Sequence, residues 1–453
     1  MTMRVLDRRR AGVLLHLGSL DGGLGRRGRA FVDWLADAGF TVWQMLPAGP
    51  TGTDGSPYWV RSDAAGNPAF IDASEPAPLH GPEYQAFLDT NADWLPDYAC
   101  FEILSMLHRG APWWQWAPEY RDRDPATLAG VRELHALDLR SVCERQFQFA
   151  WQWQRLRDYA HSRGVLLFGD VPFYVAPDSA EVWSARSQFQ LDANGHALAV
   201  AGVPPDYFSQ LGQLWGNTLY DWEAMRRNGF AFWRARLRWQ LARVDLLRID
   251  HFRALAAHWA VPAGAPDARA GRWVPTPGRE LLTALASQLG ELPLVAEDLG
   301  VITEDVIRLR RDFALPGMRV LQFGFDGNGH NPHLPHMHER DSVIYTGTHD
   351  NDTTLGWYRA LDAQSRGTVD QFLNQRGGDP DNGMPGALIR AALGSVGTLA
   401  VVPAQDLLSL GPEARLNTPG TVQHNWSWRL PPDALTPPLA RHFADLNRIY
   451  GRT

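Results

Sequence analysis

A (β/α)8 barrel (the TIM-barrel architecture of the α/β class), with inserted subdomains in the loops at its C-terminal face, is the fold this sequence predicts. Three observations carry that expectation. Short apolar runs alternate with longer amphipathic stretches along the 453 residues, and such alternation implies parallel strands joined by crossover helices. Eight such runs occur, the number that closes a barrel. Asp170, Asp250, Glu297 and Asp350 all fall where a run gives way to its loop, and the loops of such a barrel converge on its active-site face.

The series opens with "GVLLHLG" (12–18). The basic residues before it could suggest a secretory leader, but His16 interrupts the apolar run and no small-residue cleavage site follows, so a first strand is expected. "GRAFVDWLADAGF" has the helical period and leads into "TVWQMLP" (41–47). Residues 48–163 then separate the second run from the third, "GVLLFGDVP" (164–172), and are expected to form an insertion. Residues 173–243 are read as a second insertion, largely helical, before "VDLLRID" (244–250). "AGAPDARAG" (263–271) reads as a flexible loop, followed by "LPLVAED" (292–298). The helical "DVIRLRRDFAL", then "MRVLQFGF" (318–325), "SVIYTGTHD" (342–350) and "LAVVPAQD" (399–406), complete the set. With no Gly/Ser linker, low-complexity tract or internal repeat, residues 1–453 are expected to be one catalytic barrel.

Composition narrows the function. The chain is 45% hydrophobic and 21% charged, with a net charge of −7 and no long block of like charge. That disfavours nucleic acid and anionic membrane as partners. No stretch approaches the length of a membrane span. Cys100 and Cys143 are the only cysteines, which suits a reduced, cytoplasmic setting. Tryptophan outnumbers tyrosine, 19 to 11. Its flat, amphipathic face suits both cores and sugar rings, and "PWWQW" (112–116) is the densest cluster.

Three motifs invite chemistry. "GLGRRG" places Gly23, Gly25 and Gly28 in a literal G-x-G-x-x-G. The preceding strand ends several residues earlier and the second strand lacks a terminal acid for a ribose, so a plain glycine-rich loop is expected rather than a nucleotide site. "HNPHLPHMH" carries His330, His333, His336 and His338, but its prolines break the helical spacing of a zinc site, and a solvated polar loop is expected. The third motif is the carboxylate set. In "LLRIDHFRAL" (246–255), Arg248 and Asp250 share one face of a strand while Ile249 takes the other. A retaining glycosidase needs an ionised carboxylate as nucleophile and a protonated one as acid. Arg248 would keep Asp250 ionised, and the apolar run before Glu297 would favour its protonated form. A purely structural Arg248–Asp250 ion pair is the alternative these residues leave open.

"SPYWVRSDAAGNPAFID", "GDVPFYVAPDSAEVW", "AGVPPDYFSQLGQLWGNTLYDW", "LLRIDHFRAL", "LVAEDLGVIT", "LPGMRVLQFGF" and "YTGTHDNDTTLGW" together resemble 4-α-glucanotransferases of the amylomaltase type, from about residue 11 to "NWSWRL". The resemblance implies a retaining double displacement on α-1,4-glucans and maltooligosaccharides, which serve as donor and acceptor. It implies Asp250 as nucleophile, Glu297 as general acid/base and Asp350 as the carboxylate that grips sugar hydroxyls. Arg248, His251 and His349 match residues around the reacting sugar, and Tyr58, Asp170, Asp206, Gln213 and Trp215 match substrate-binding positions. It implies no redox cofactor and no catalytic metal.

The motifs also depart from the family pattern. The chain is shorter than usual bacterial members, and its first loop carries Arg26 and Arg27. Trp59, Val60 and Arg61 replace small polar and aromatic residues, Thr218 follows G-N where proline is usual, and Ala254 stands in place of glycine. The carboxylates are intact, so a related retaining α-glucan hydrolase or a glucosyltransferase of altered acceptor preference is the alternative reading.

Overall fold

The computed structural model describes residues 6–205, 209–375, 381, 383–421 and 423–453. Its strands in chain order are β1 Arg10–Leu14, β2 Val42–Gln44, β3 Leu166–Val171, β4 Ala199–Val203, β5 Gln213–Thr218 and β6 Leu246–Ile249. They continue as β7 Ala257–Pro262, β8 Arg272–Pro275, β9 Leu294–Ala296, β10 Gly317–Val320, β11 Ser342–Tyr345 and β12 Leu399–Pro403. Each of the eight runs read from the sequence contributes one strand to a single sheet ordered β10-β11-β12-β1-β2-β3-β6-β9. Every pairing in it is parallel.

Sequence neighbours are spatial neighbours throughout that order, so the sheet curls into a barrel whose seam lies between β9 and β10. The Ala296 N–H donates to Pro316 O across the seam at 2.9 Å. Beside it, Asp298 Oδ1 accepts the Met318 N–H at 2.7 Å and so stands in for a missing strand carbonyl. Arg310, at 3.2 Å, and Arg319, at 3.5 Å, compensate that buried carboxylate. Gly317 makes room for it, since a Cβ there would lie 2.5 Å from Asp298 Oδ2.

Alternation along the strands sorts side chains into two layers. Leu14, Val42, Phe168, Leu246, Val295, Val320, Val343 and Val401 fill the interior, whereas Val13, Leu15, Leu167, Leu247 and Ile249 pack outward into the main core. Near the C-terminal end the interior turns polar. Asp170 is in direct register with Arg248 on the neighbouring strand, and Tyr345 Oη donates to Gln44 Oε1 at 2.9 Å. The charge that ends β6 is therefore the upper layer of the barrel.

Between β2 and β3 lie a short loop closed by a Thr51–Val60 bridge and several helices, ending in the 27-residue Ala136–Ser162. Its buried Gln146 and Gln152 pin the extended chain before those helices. Gln146 bonds both backbone groups of Gly66, and Gln152 those of Asp72. Trp113 and Trp116 of the "PWWQW" cluster are buried and bond their indole N–H groups to Pro177 O and Ala111 O. They are core of the inserted segment.

A second sheet was not foreseen. β5-β4-β7-β8 form an antiparallel layer beside the barrel mouth, so the segment read as largely helical also carries β4 and β5. "AGAPDARAG" bridges β7 and β8 and includes the helical turn Ala268–Ala270. The glycine-rich loop is indeed packing: a Cβ on Gly25 would meet Asp72 and one on Gly28 would meet Gly23 O. Asp72 Oδ2 accepts the Arg26 N–H at 3.4 Å where helix Arg26–Asp37 begins, the place an anion would take. No helix among the described residues is long and apolar enough to cross a membrane.

Candidate active site

Arg248 is the hub of the site. It is nearly sealed, at 5% exposed, and its two guanidinium nitrogens divide their bonds between two carboxylates. Nη1 donates to Asp170 Oδ2 at 2.6 Å and Nη2 to Asp250 Oδ1 at 2.7 Å. Tyr58 Oη, carried by the loop after β2, donates to the same Asp170 oxygen at 2.7 Å. Asp170 Oδ1 is buried without a partner among the described residues. Two carboxylates around one arginine leave excess negative charge, and the fork geometry of arginine fixes both. Asp250 keeps 31% of its side chain open while Asp170 is closed off, so Asp250 is the member that a ligand can reach.

The backbone brings Glu297 beside this pair. The Asp250 N–H still bonds Val171 O at 3.0 Å, after which His251 turns left-handed at φ 50°. A non-glycine residue there is strained, and such strain persists where the surroundings dictate it. The turn aims the His251 N–H at Glu297 Oε2, 2.7 Å away, and the Leu299 N–H bonds Glu297 Oε1 at 2.8 Å. These donors favour an ionised Glu297. Burial opposes them most strongly, with the Asp250 charge next, and together they push Glu297 up to about 7. Burial also pulls His251 down to about 4, leaving it neutral near pH 7, and its Nε2 is buried without a partner among the described residues.

The loop after β11 supplies His349 and Asp350. His349 stacks on Tyr58 with ring centroids 5.1 Å apart and planes 15° off parallel. Its Nε2 lies 3.4 Å from Asp350 Oδ1. Asn417 Nδ2 donates to the same Asp350 oxygen at 2.6 Å, and Arg415 Nη2 donates to Asp350 O at 2.8 Å. Trp426 closes the group, its ring 6.1 Å from Tyr58 and 6.0 Å from His349. Sequence reading did not select Asn417, Arg415 or Trp426. Only Trp426 left a trace, inside the aromatic "NWSWRL" segment.

On the other flank, Trp215 of β5 sits edge-on to His251 at 4.7 Å, and Tyr174 lies 6.4 Å from the same ring. Gln213 Oε1 accepts the Trp215 indole N–H at 3.1 Å, so Gln213 bears on the site through Trp215. Asp206 lies outside the described residues.

The histidine segment is solvated at His330 and His336, as its composition suggested, but not at His333 and His338. His333 Nδ1 accepts the Val320 N–H at 3.0 Å, and His338 is 2.7 Å from Ser395 Oγ and 3.0 Å from His333 O. Burial lowers both to about 4. They pack that segment against the ends of β10 and the helix before β12. Among the described residues no group of three His, Cys, Asp or Glu side chains is placed to hold a metal.

Three comparisons bear on these residues. A family profile described as 4-alpha-glucanotransferase matches residues 16–78 and 75–436. The chain is 41% identical to a 4-alpha-glucanotransferase of Synechocystis, covering 99% of both chains. It is likewise 41% identical to one of Thermus thermophilus, over 94% of this chain and 95% of that one. The amylomaltase of Streptococcus agalactiae, solved in complex with acarbose, superposes with a TM-score of 0.91 at 30% identity, covering 98% of this chain and all of that one.

Proposed function

This chain belongs to the 4-alpha-glucanotransferase family, and on that premise we propose how its own residues carry out the transfer. The activity is transfer of glucan segments between α-1,4-glucans, with maltooligosaccharides as donor and acceptor. Asp250 is the nucleophile, Glu297 the general acid and base, and Asp350 the carboxylate that holds hydroxyls of the reacting sugar. The single observation that carries this assignment is the unlike setting of two neighbouring carboxylates. Both side chains are half-buried, but Asp250 is ion-paired to Arg248 at 2.7 Å, whereas desolvation and then the Asp250 charge lift Glu297 to about 7. A carboxyl held protonated near neutrality beside an ion-paired carboxylate suits a general acid beside a nucleophile.

Glu297 gives its proton to the glycosidic oxygen as Asp250 attacks the anomeric carbon, and the leaving glucan departs as an alcohol. The product is a glucosyl ester on Asp250 with inverted configuration. The acceptor's 4-hydroxyl then attacks the anomeric carbon and yields its proton to Glu297, breaking the bond to Asp250, which restores the α-linkage and frees the carboxylate. Arg248 steadies Asp250 as its charge is spent and regained. Tyr58 and His349 present a stacked aromatic surface to the sugar, and His251 Nε2, buried and unpartnered, faces a polar group of the ligand. Asp350 remains 46% open, with Asn417 fixing its angle, so it can tighten on hydroxyls as the ring flattens.

Gln213, Trp215 and Tyr58 belong to the same binding surface in this reading, and Asp206 is assigned to it from sequence alone. The cytoplasm is the compartment we assign, supported by two cysteines that are both free thiols.

Incubation with maltotriose tests the activity. Glucose together with a ladder of longer maltooligosaccharides is expected by chromatography or mass spectrometry. Glucose and maltose without any longer product would overturn transfer in favour of hydrolysis.

A further inference from the structure

Transfer requires an acceptor sugar to be held where water would otherwise react, and one residue departing from the family pattern stands at that place. Tyr58 and Trp59 are adjacent in the loop after β2 but serve different surfaces. Tyr58 reaches down to Asp170 and Arg248. Trp59 instead reaches β5: its Cη2 lies 3.9 Å from where a Cβ on Gly216 would be, and Gly216 has φ 81°. A bare, left-handed residue there leaves that approach open.

Gly216 follows Trp215, whose ring meets His251 edge-on, and the His251 N–H holds Glu297. Tyr58, His349 and Trp426 form a separate ring group, and in the transferase reading the reacting sugar lies against that group and Asp350. The flank marked by Trp215 and Gly216 is therefore the side of the acid, where the glucan leaves and the acceptor enters. The loop carrying Trp59 is braced on both sides. Thr51 bridges Val60, the Arg61 N–H bonds Pro50 O at 2.8 Å, and Arg61 Nε bonds Glu102 at 2.8 Å.

Buried tryptophans such as Trp43 and Trp113 bond their indole N–H groups, to Leu15 O and Pro177 O respectively. Trp59 differs. It is half-buried, and among the described residues its indole N–H has no protein partner and is not sealed from solvent. A half-buried aromatic ring with a free donor at its edge is suited to a sugar ring and one of its hydroxyls.

We propose that Trp59, set against Gly216 of β5, is a specificity-determining residue that holds the acceptor glucose. The proposal rests on the transferase reading. The two half-reactions can be read apart with α-glucosyl fluoride as donor, because fluoride leaves without occupying the acceptor side. Glucose is then titrated as acceptor, and the first-turnover burst of fluoride release, which precedes discharge of the glucosyl ester, is read separately from steady-state maltose formation. In Trp59→Ala the glucose concentration for half-maximal maltose formation is expected to rise about tenfold, the scale of one lost aromatic contact. The effect on fluoride release is expected to be the smaller one. Trp59→Phe, which keeps a ring and loses the donor, is expected to fall between wild type and Trp59→Ala, and circular dichroism reports folding of both variants. Half-saturation by glucose that matches wild type in both variants, or a loss equal in both half-reactions, would overturn the proposal. If the wild-type enzyme releases fluoride but forms no maltose at any glucose concentration, the transferase reading itself fails.

Discussion

Raising the pH through neutrality is the most direct perturbation of the proposed chemistry, because it removes the proton that Glu297 must deliver. Burial, then the Asp250 charge, lift Glu297 from 4.5 to about 7, against the opposing pull of Arg248 and two backbone N–H donors. That lift makes ionising Glu297 cost about 3 kcal/mol more than in water. The acid is competent below its pKa, so activity is present on the acid side and lost as pH rises through about 7. The basic limb of kcat/KM should fall about tenfold for each further pH unit. Removing the Asp250 charge tests the cause. In Asp250→Asn the titration of Glu297, followed by carboxyl carbon NMR, should move below 7 yet stay above 4.5, because burial, the larger cause, persists. A kcat/KM flat to pH 9, or a Glu297 midpoint unmoved or raised by Asp250→Asn, would refute the reasoning.

Asp250→Asn and Glu297→Gln should each lower turnover by about 10³-fold or more while the fold is retained; steady-state kinetics beside circular dichroism checks both. Asn417→Ala removes the donor at 2.6 Å from Asp350 and should cost about tenfold or more in kcat/KM, the worth of one hydrogen bond to a charged group. Arg236→Leu leaves the buried Asp63 without its partner at 2.6 Å and should destabilise the protein by about 3–5 kcal/mol in urea unfolding. EDTA should leave maltotriose disproportionation unchanged, and inactivation reversed by added metal would contradict the proposed mechanism.

The barrel was legible in the sequence because its strands are local signals. Runs such as "GVLLFGDVP" and "VDLLRID" are continuous apolar stretches that end in charge, which is what a strand buried on both faces looks like at the mouth of a barrel. The second sheet was not legible. "AVAGV" and "QLWGNT" are short and interrupted by glycine, and β4 pairs with β7 from beyond β6. Neither periodicity nor turn chemistry announces such a partner. His338 was not legible for a related reason. Its ring bonds Ser395, 57 positions away, and a composition of histidine, asparagine and proline does not report such a partner.

The motifs alone marked which carboxylates are candidates, because Asp250 and Glu297 directly follow apolar runs that read as strands and Asp350 lies in the motif that follows another. Their inequality was decided only by tertiary structure. Burial, the shared Arg248 and the left-handed turn at His251 arise from contacts between β3, β6 and β9 that no local stretch encodes. The same holds for Asn417 and Trp426, which reach the site from the C-terminal segment, and for Trp59, whose position over Gly216 exists only once the loop and β5 are folded together. A pKa depends on where charge and solvent end up in space, and that is a property of the assembled barrel.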